Sequence, residues 1–152
     1  MSLSNQQRAK LIDTIQETGV SVVGITARLI DQMEIRQYFP PDVLELLTEY
    51  ISTFYVFKND HVTGGKIYDG LSTYCTNTDT GEKIAAIGLC DAVILADDAE
   101  QQVFLILHEL AHIVTGEGDD SELFHNYLNQ LIIATNKHSG LNIQNDYFGY
   151  TG

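Results

Sequence analysis

The sequence predicts a single α+β domain in which a small, mostly antiparallel sheet packs against helices. Three observations predict it. Segments 1–52 and 99–137 carry apolar residues at helical spacing, segment 53–98 clusters aromatic and β-branched residues between turn signals, and no repeat, low-complexity tract or linker divides the 152 residues. The remaining stretch, 138–152, reads as a tail. A chain of this length with 44% hydrophobic residues has enough apolar material for one core.

From Leu3 to Thr18, the positions Leu3, Ala9, Leu11, Ile12 and Ile15 fit a polar helix that stops near Gly19. A second helix is expected from Ser21 to Tyr38, carrying Val22, Val23, Ile25, Leu29, Ile30, Met33 and Ile35. It ends before Pro40-Pro41, because the residue preceding a proline avoids helical geometry. Pro41 suits the first turn of a third helix, continued by Val43, Leu44, Leu46, Leu47, Tyr50 and Ile51. Phe54 to Lys58 reads as a strand, followed by a turn at Asn59, Asp60 and Gly64-Gly65. Lys66 to Cys75 has no clear pattern. After a turn at Asp79-Thr80-Gly81, Lys83 to Leu95 reads as one long strand or two short ones broken at Gly88 or Asp91, with Ala92-Val93-Ile94-Leu95 the strongest strand signal. Asp97 and Asp98 cap an apolar helix from Ala99 to Val114, ended by Gly116 and Gly118. Ser121 caps the last helix, to about Lys137, with Leu123, Phe124, Tyr127, Leu128, Leu131, Ile132 and Ile133.

Charge and cysteine content narrow the function classes. A formal net charge of -13, with only eight scattered Lys and Arg, disfavours general binding to nucleic acid or anionic membrane, both of which are densely negative. A protein or peptide partner is the expectation, and the oligomeric state is left open. Cys75 and Cys90 are too few for a disulfide framework and read as half-buried thiols on neighbouring strands, which favours a reducing compartment. No signal peptide or membrane-length apolar run is present, so a soluble, cytoplasmic protein is expected.

Chemistry concentrates in one helix. His108 and His112 stand four residues apart, so their imidazoles rise from one face and can share a metal ion. Glu109 is one position round, outside the ligand shell but within reach of a water on the metal, which suits a general base. From this chain's own residue frequencies, the His-Glu-x-x-His pattern has about one chance in a hundred of arising at random. Its apolar setting of Ile106, Leu107, Leu110, Ala111 and Ile113 lowers that further, because polar groups on a buried helix need partners. A catalytic zinc site needs a third protein ligand and an open position. Glu117, Asp119, Asp120, Glu122 and His125 are the candidates. His61 and His138 fall in expected loops and read as solvated.

The stretch Leu107-His108-Glu109-Leu110-Ala111-His112-Ile113-Val114, then Gly118-Asp119-Asp120-Ser121-Glu122-Leu123-Phe124, resembles the zincin metallopeptidases of the WLM and SprT-like group, which includes viral members. The resemblance covers about the last third of the chain. It implies a zincin-like domain binding Zn2+ and hydrolysing peptide bonds of a protein substrate, with Glu109 as general base. It also sets Asp119 where that group carries its third ligand, a histidine. The substrate strand it implies is Cys90 to Ala96, at a sheet edge, and a tail tyrosine, Tyr147 or Tyr150, is the implied helper at the oxyanion. A viral member would act in the host cytoplasm or the virion. Two other readings stand beside it: an ImmA/IrrE-like regulatory peptidase, with Glu122 as third ligand, and a non-catalytic zinc-containing interaction module.

Overall fold

In the computed structural model, residues 3–26, 34–60, 67–76 and 80–144 are described. Ser4 opens the first helix, α1 (Asn5–Gln16), with a reciprocal cap: its side chain accepts from the Gln7 N–H while its own N–H donates to the Gln7 side chain. α1 buries Leu11 and Ile15, and Gly19, at φ +88°, turns the chain out of it.

The next segment departs from the expected helix. Ser21–Thr26 is a strand, β1, and a five-residue 3₁₀ helix follows at Glu34–Tyr38, the span between lying outside the described residues. Val22, Val23 and Ile25 fit a helical stripe and a strand equally well. Pairing with a neighbouring strand decides between them, as β-branched side chains favour. α2 (Pro41–Tyr50) begins with Pro41 in its first turn and buries Val43 and Leu47.

Three more strands complete the sheet: β2 (Thr53–Lys58), β3 (Gly70–Thr76) and β4 (Lys83–Cys90). Their order is β1-β2-β4-β3. β1 pairs antiparallel with β2, β2 parallel with β4, and β3 antiparallel with β4. The sheet is therefore mixed, and β4 is an inner strand with every residue from Ile84 to Cys90 buried, as a strand covered on both faces must be. At its centre Gly88 leaves room for the Tyr55 ring of β2. A Cβ there would stand 2.2 Å from Tyr55 Cε2. The Tyr55 hydroxyl lies 2.9 Å from Thr73 Oγ1 of β3, so one side chain spans the inner strand from its neighbour on one side to its neighbour on the other. Burial pushes the Tyr55 phenol well above its ordinary pKa, the Thr73 hydrogen bond lowers it in part, and the Glu109 charge adds to the rise.

The strand expected at Ala92–Leu95 is instead a short helix, α3 (Asp91–Ala96). In a strand Val93 and Leu95 would share a face. Here Val93 is buried and Leu95 is 82% exposed. A short apolar run cannot be told from a buried helical turn by pattern alone, and the left-handed Asp97 (φ 52°) that ends α3 carries no sequence warning as strong as glycine. Buried Gln102 donates to the Val93 carbonyl at 3.1 Å and fastens α3 to the long helix after it.

That helix, α4 (Ala99–Thr115), starts on Asp98, whose side chain accepts from the Gln101 N–H, and stops at Gly116 with φ +69°. α5 (Glu122–Ser139) starts on Ser121, which accepts from the Phe124 N–H, and stops at Gly140 with φ +78°. Asp98, Gly116 and Ser121 act as the sequence leads one to expect, and the last helix runs two residues past the expected Lys137, to the glycine that stops it. His138 lies in the last turn of α5, exposed, and not in a loop. Cys75 and Cys90 are free thiols in β3 and β4, neighbouring strands as expected, and burial raises both pKa values. Among the described residues no helix is long and apolar enough to cross a membrane.

Candidate metal centre

α4 is buried from Gln102 to Ala111, so the domain spends the middle of its core on a helix that carries, besides Gln102, two ionisable side chains, His108 at 3% exposure and Glu109 at 1%. Such groups are held inside only when their polar atoms are matched. One helical turn brings His108 Nε2 and His112 Nε2 to 3.1 Å. Asp119 then folds back from the loop after Gly116 and sets its Oδ1 3.3 Å from His108 Nε2 and 2.8 Å from His112 Nε2. That oxygen is shielded from solvent and takes no hydrogen-bond donor.

The other nitrogen of His112 decides what this triangle is made of. Nδ1 lies 2.7 Å from the Glu117 carbonyl oxygen, and a carbonyl only accepts, so Nδ1 bears a proton and Nε2, which faces Asp119, is the nitrogen a metal ion would take. A nitrogen and a carboxylate oxygen 2.8 Å apart are held together by a shared cation, a proton or a metal ion. Around a tetrahedral ion with bonds of about 2.0–2.1 Å, neighbouring ligand atoms stand about 3.3 Å apart. Of the observed separations, 3.3 and 3.1 Å lie close to that requirement and 2.8 Å, between His112 and Asp119, is about half an ångström under it. The carboxylate of Glu109 belongs to the same cluster: ligand atoms of His108, Glu109 and His112 all lie within 4.8 Å of one another, and the group can hold a metal ion.

Phe124, fully buried, supports both rings. It stacks on His112 with centroids 4.1 Å apart and planes at 16°, and meets His108 edge-on at 5.0 Å. Of the rival third ligands, His125 is exposed, and its Nε2 donates to the Asp119 backbone carbonyl at 2.5 Å. Its ring tethers the loop rather than joining the triangle. Asp120 and Glu122 are exposed. Asp119 is the carboxylate that the fold carries to the imidazoles.

Beside the triangle opens a cleft of about 390 Å³, walled by Glu109, His112 and Asp119, by the loop 116–118, and by Leu71, Ser72 and Tyr74 of β3. Its strand wall corrects the expected substrate strand. Cys90 to Ala96 is the end of an inner strand followed by a helix, whereas the sheet edge beside the cleft is β3. Tyr147 and Tyr150 lie outside the described residues. The phenol at the cleft is Tyr74, whose hydroxyl donates to the His112 carbonyl at 2.9 Å. Burial, and then the Glu109 charge, raise its pKa, which keeps it a donor. Sequence reasoning misses Tyr74 because it finds no pattern in this stretch, although buried Leu71, Thr73 and Cys75 alternate with the more exposed Ser72, Tyr74 and Thr76.

Compared with known proteins, the chain matches no family model, no curated protein and no solved structure. The His-Glu-x-x-His helix and the groups folded around it therefore carry the functional reading.

Proposed function

We propose that the chain is a zinc-dependent peptidase that hydrolyses a peptide bond in an extended segment of a protein substrate. The observation that carries the reading is the convergence of His108 Nε2, His112 Nε2 and Asp119 Oδ1 at a cleft that Glu109 also lines. His108, His112 and Asp119 would hold the ion. When bound, zinc supplies Lewis acidity, polarising a carbonyl and making water a stronger acid.

The chain's own groups do the rest. Glu109, one position round the helix from the ligands, accepts the proton of the attacking water and passes it to the amine as the C–N bond breaks. Tyr74 turns its hydroxyl from the His112 carbonyl to the substrate carbonyl oxygen, where negative charge develops. The Glu117 carbonyl and the Phe124 ring keep the His112 imidazole in one tautomer and one orientation throughout. Among the described residues β3 is an outer strand of the sheet, to which an extended peptide would add as a further strand.

The test compares wild type with Glu109→Gln on an unfolded general protein substrate, with metal content measured on both. The variant is expected to keep one zinc per chain and to lose cleavage. Equal behaviour of the two proteins on every substrate would leave a zinc-containing interaction module in place of a peptidase.

A further inference from the structure

We infer that Glu117 makes the cleft selective for a Lys or Arg side chain next to the scissile bond. The inference rests on the peptidase reading and adds a substrate class to it. It starts from charge. Among the described residues the charged side chains lining the cleft are Glu109, Glu117 and Asp119, with His112 the one residue of basic type and no Lys or Arg. With a divalent ion bound, the charges of Asp119 and Glu109 offset the ion's two positive charges. Among the described lining residues, Glu117 is then the carboxylate whose charge the ion does not offset.

The position of Glu117 is fixed by its backbone. Its carbonyl accepts from His112 Nδ1 at 2.7 Å and its N–H donates to Thr115 Oγ1 at 3.2 Å, so the residue is tied to the same helix end that presents the metal ligand. The side chain itself is exposed and takes no part in those bonds. Glycines flank it on both sides, and a Cβ built on either Gly116 or Gly118 meets nothing within 4 Å among the described residues, so the loop on either side of Glu117 is uncrowded. The same cleft is lined by the half-exposed ring of Tyr74, 45% accessible, and by Leu71. An apolar and aromatic lining in the same cleft as the Glu117 carboxylate suits a side chain with an aliphatic stem and a cationic end. An acidic substrate side chain would meet repulsion from the cleft and from the net charge of -13.

The experiment uses zinc-loaded full-length protein and peptides that carry Lys, Gln or Glu in turn at each position flanking the cleaved bond. Two readouts are taken: kcat/KM, and binding to the Glu109→Gln protein by fluorescence anisotropy. One position is expected to favour Lys over Gln by about 5-fold, an effect that shrinks at high salt, as for a partly exposed ion pair. Glu117→Gln should abolish that preference with zinc content unchanged, and Glu117→Lys should turn it toward Glu. Cleavage of Lys and Gln peptides at equal rates at all positions, or a preference that survives Glu117→Gln, overturns the subsite and leaves the peptidase standing. Selective binding of Lys peptides with no cleavage of any peptide supports the subsite and overturns the peptidase.

Discussion

Replacing Asp119 by alanine is the sharpest challenge to the metal triangle. Asp119 Oδ1 is 2.8 and 3.3 Å from the two imidazole nitrogens, and the variant leaves only a pair of histidines one turn apart. A ligand that binds only the folded state stabilises it by about 2.7 kcal/mol at a hundred times its Kd. For a domain of this size each kcal/mol moves Tm by about 2–4 °C, so zinc at that concentration should raise the wild-type Tm by about 5–11 °C. Losing even a supporting partner of a ligand weakens metal binding about 10–100-fold. Loss of Asp119 itself is taken at the upper limit, which brings the same zinc concentration down to the variant's Kd. The gain is then about 0.4 kcal/mol, a rise of about 1–2 °C. Differential scanning fluorimetry with and without zinc, on Asp119→Ala, His125→Ala and Glu122→Ala, checks it. A full zinc shift in Asp119→Ala would refute the reasoning. So would a collapse confined to Glu122→Ala, which would move the third ligand into α5.

Three further outcomes are expected. Tyr74→Phe should lower kcat about 10-fold or more with KM and zinc content unchanged, because it removes a hydroxyl and keeps the ring on the cleft wall; a change in KM alone would reduce Tyr74 to a packing role. Phe124→Leu removes the ring stacked on His112 and should weaken zinc about 10-fold in a chelator competition while costing about 1–2 kcal/mol in urea unfolding, and unaltered zinc affinity would mean the stacking does not position the ligand. The third concerns alkaline pH. Burial raises the Tyr55 pKa in the folded state above the unfolded value of about 10, so the stability from keeping the phenol neutral is fully present below pH of about 10 and is lost as pH rises toward the folded pKa. Tyr55→Phe, about 1 kcal/mol less stable at pH 8 for want of its Thr73 hydrogen bond, should lose less stability between about pH 9 and 11; parallel pH profiles would contradict the assignment.

The parts of the molecule that follow local rules are the parts the sequence reveals. His108, Glu109 and His112 are legible because four-residue spacing on a capped helix is a local fact, and the helix runs from Asp98 to Gly116 as its caps require. The resemblance singles out Asp119, and the fold brings that residue to the two imidazoles. What escapes is decided by contacts between distant segments. Val22, Val23 and Ile25 become a strand only because β2 is there to pair with, Ala92–Leu95 coil because the sheet's inner strand ends at Cys90, and β3 gains its meaning from the helix end it faces. Phe124 is readable as a core residue of a helix, but that it stacks on a ligand is not written in its spacing.

The bridge of Tyr55 over Gly88 to Thr73 also bears on how such a chain can change through descent. A side chain at position 88 has no room while Tyr55 is present, and loss of the Tyr55 hydroxyl strands Thr73, so each single step away from this arrangement meets a penalty. The three sites should therefore drift together or not at all. Because Thr73 sits between two cleft residues, Ser72 and Tyr74, that constraint reaches the wall against which substrate would lie. Variation in specificity is then freest in the loop that carries Glu117, whose side chain is exposed and whose glycine neighbours are uncrowded among the described residues.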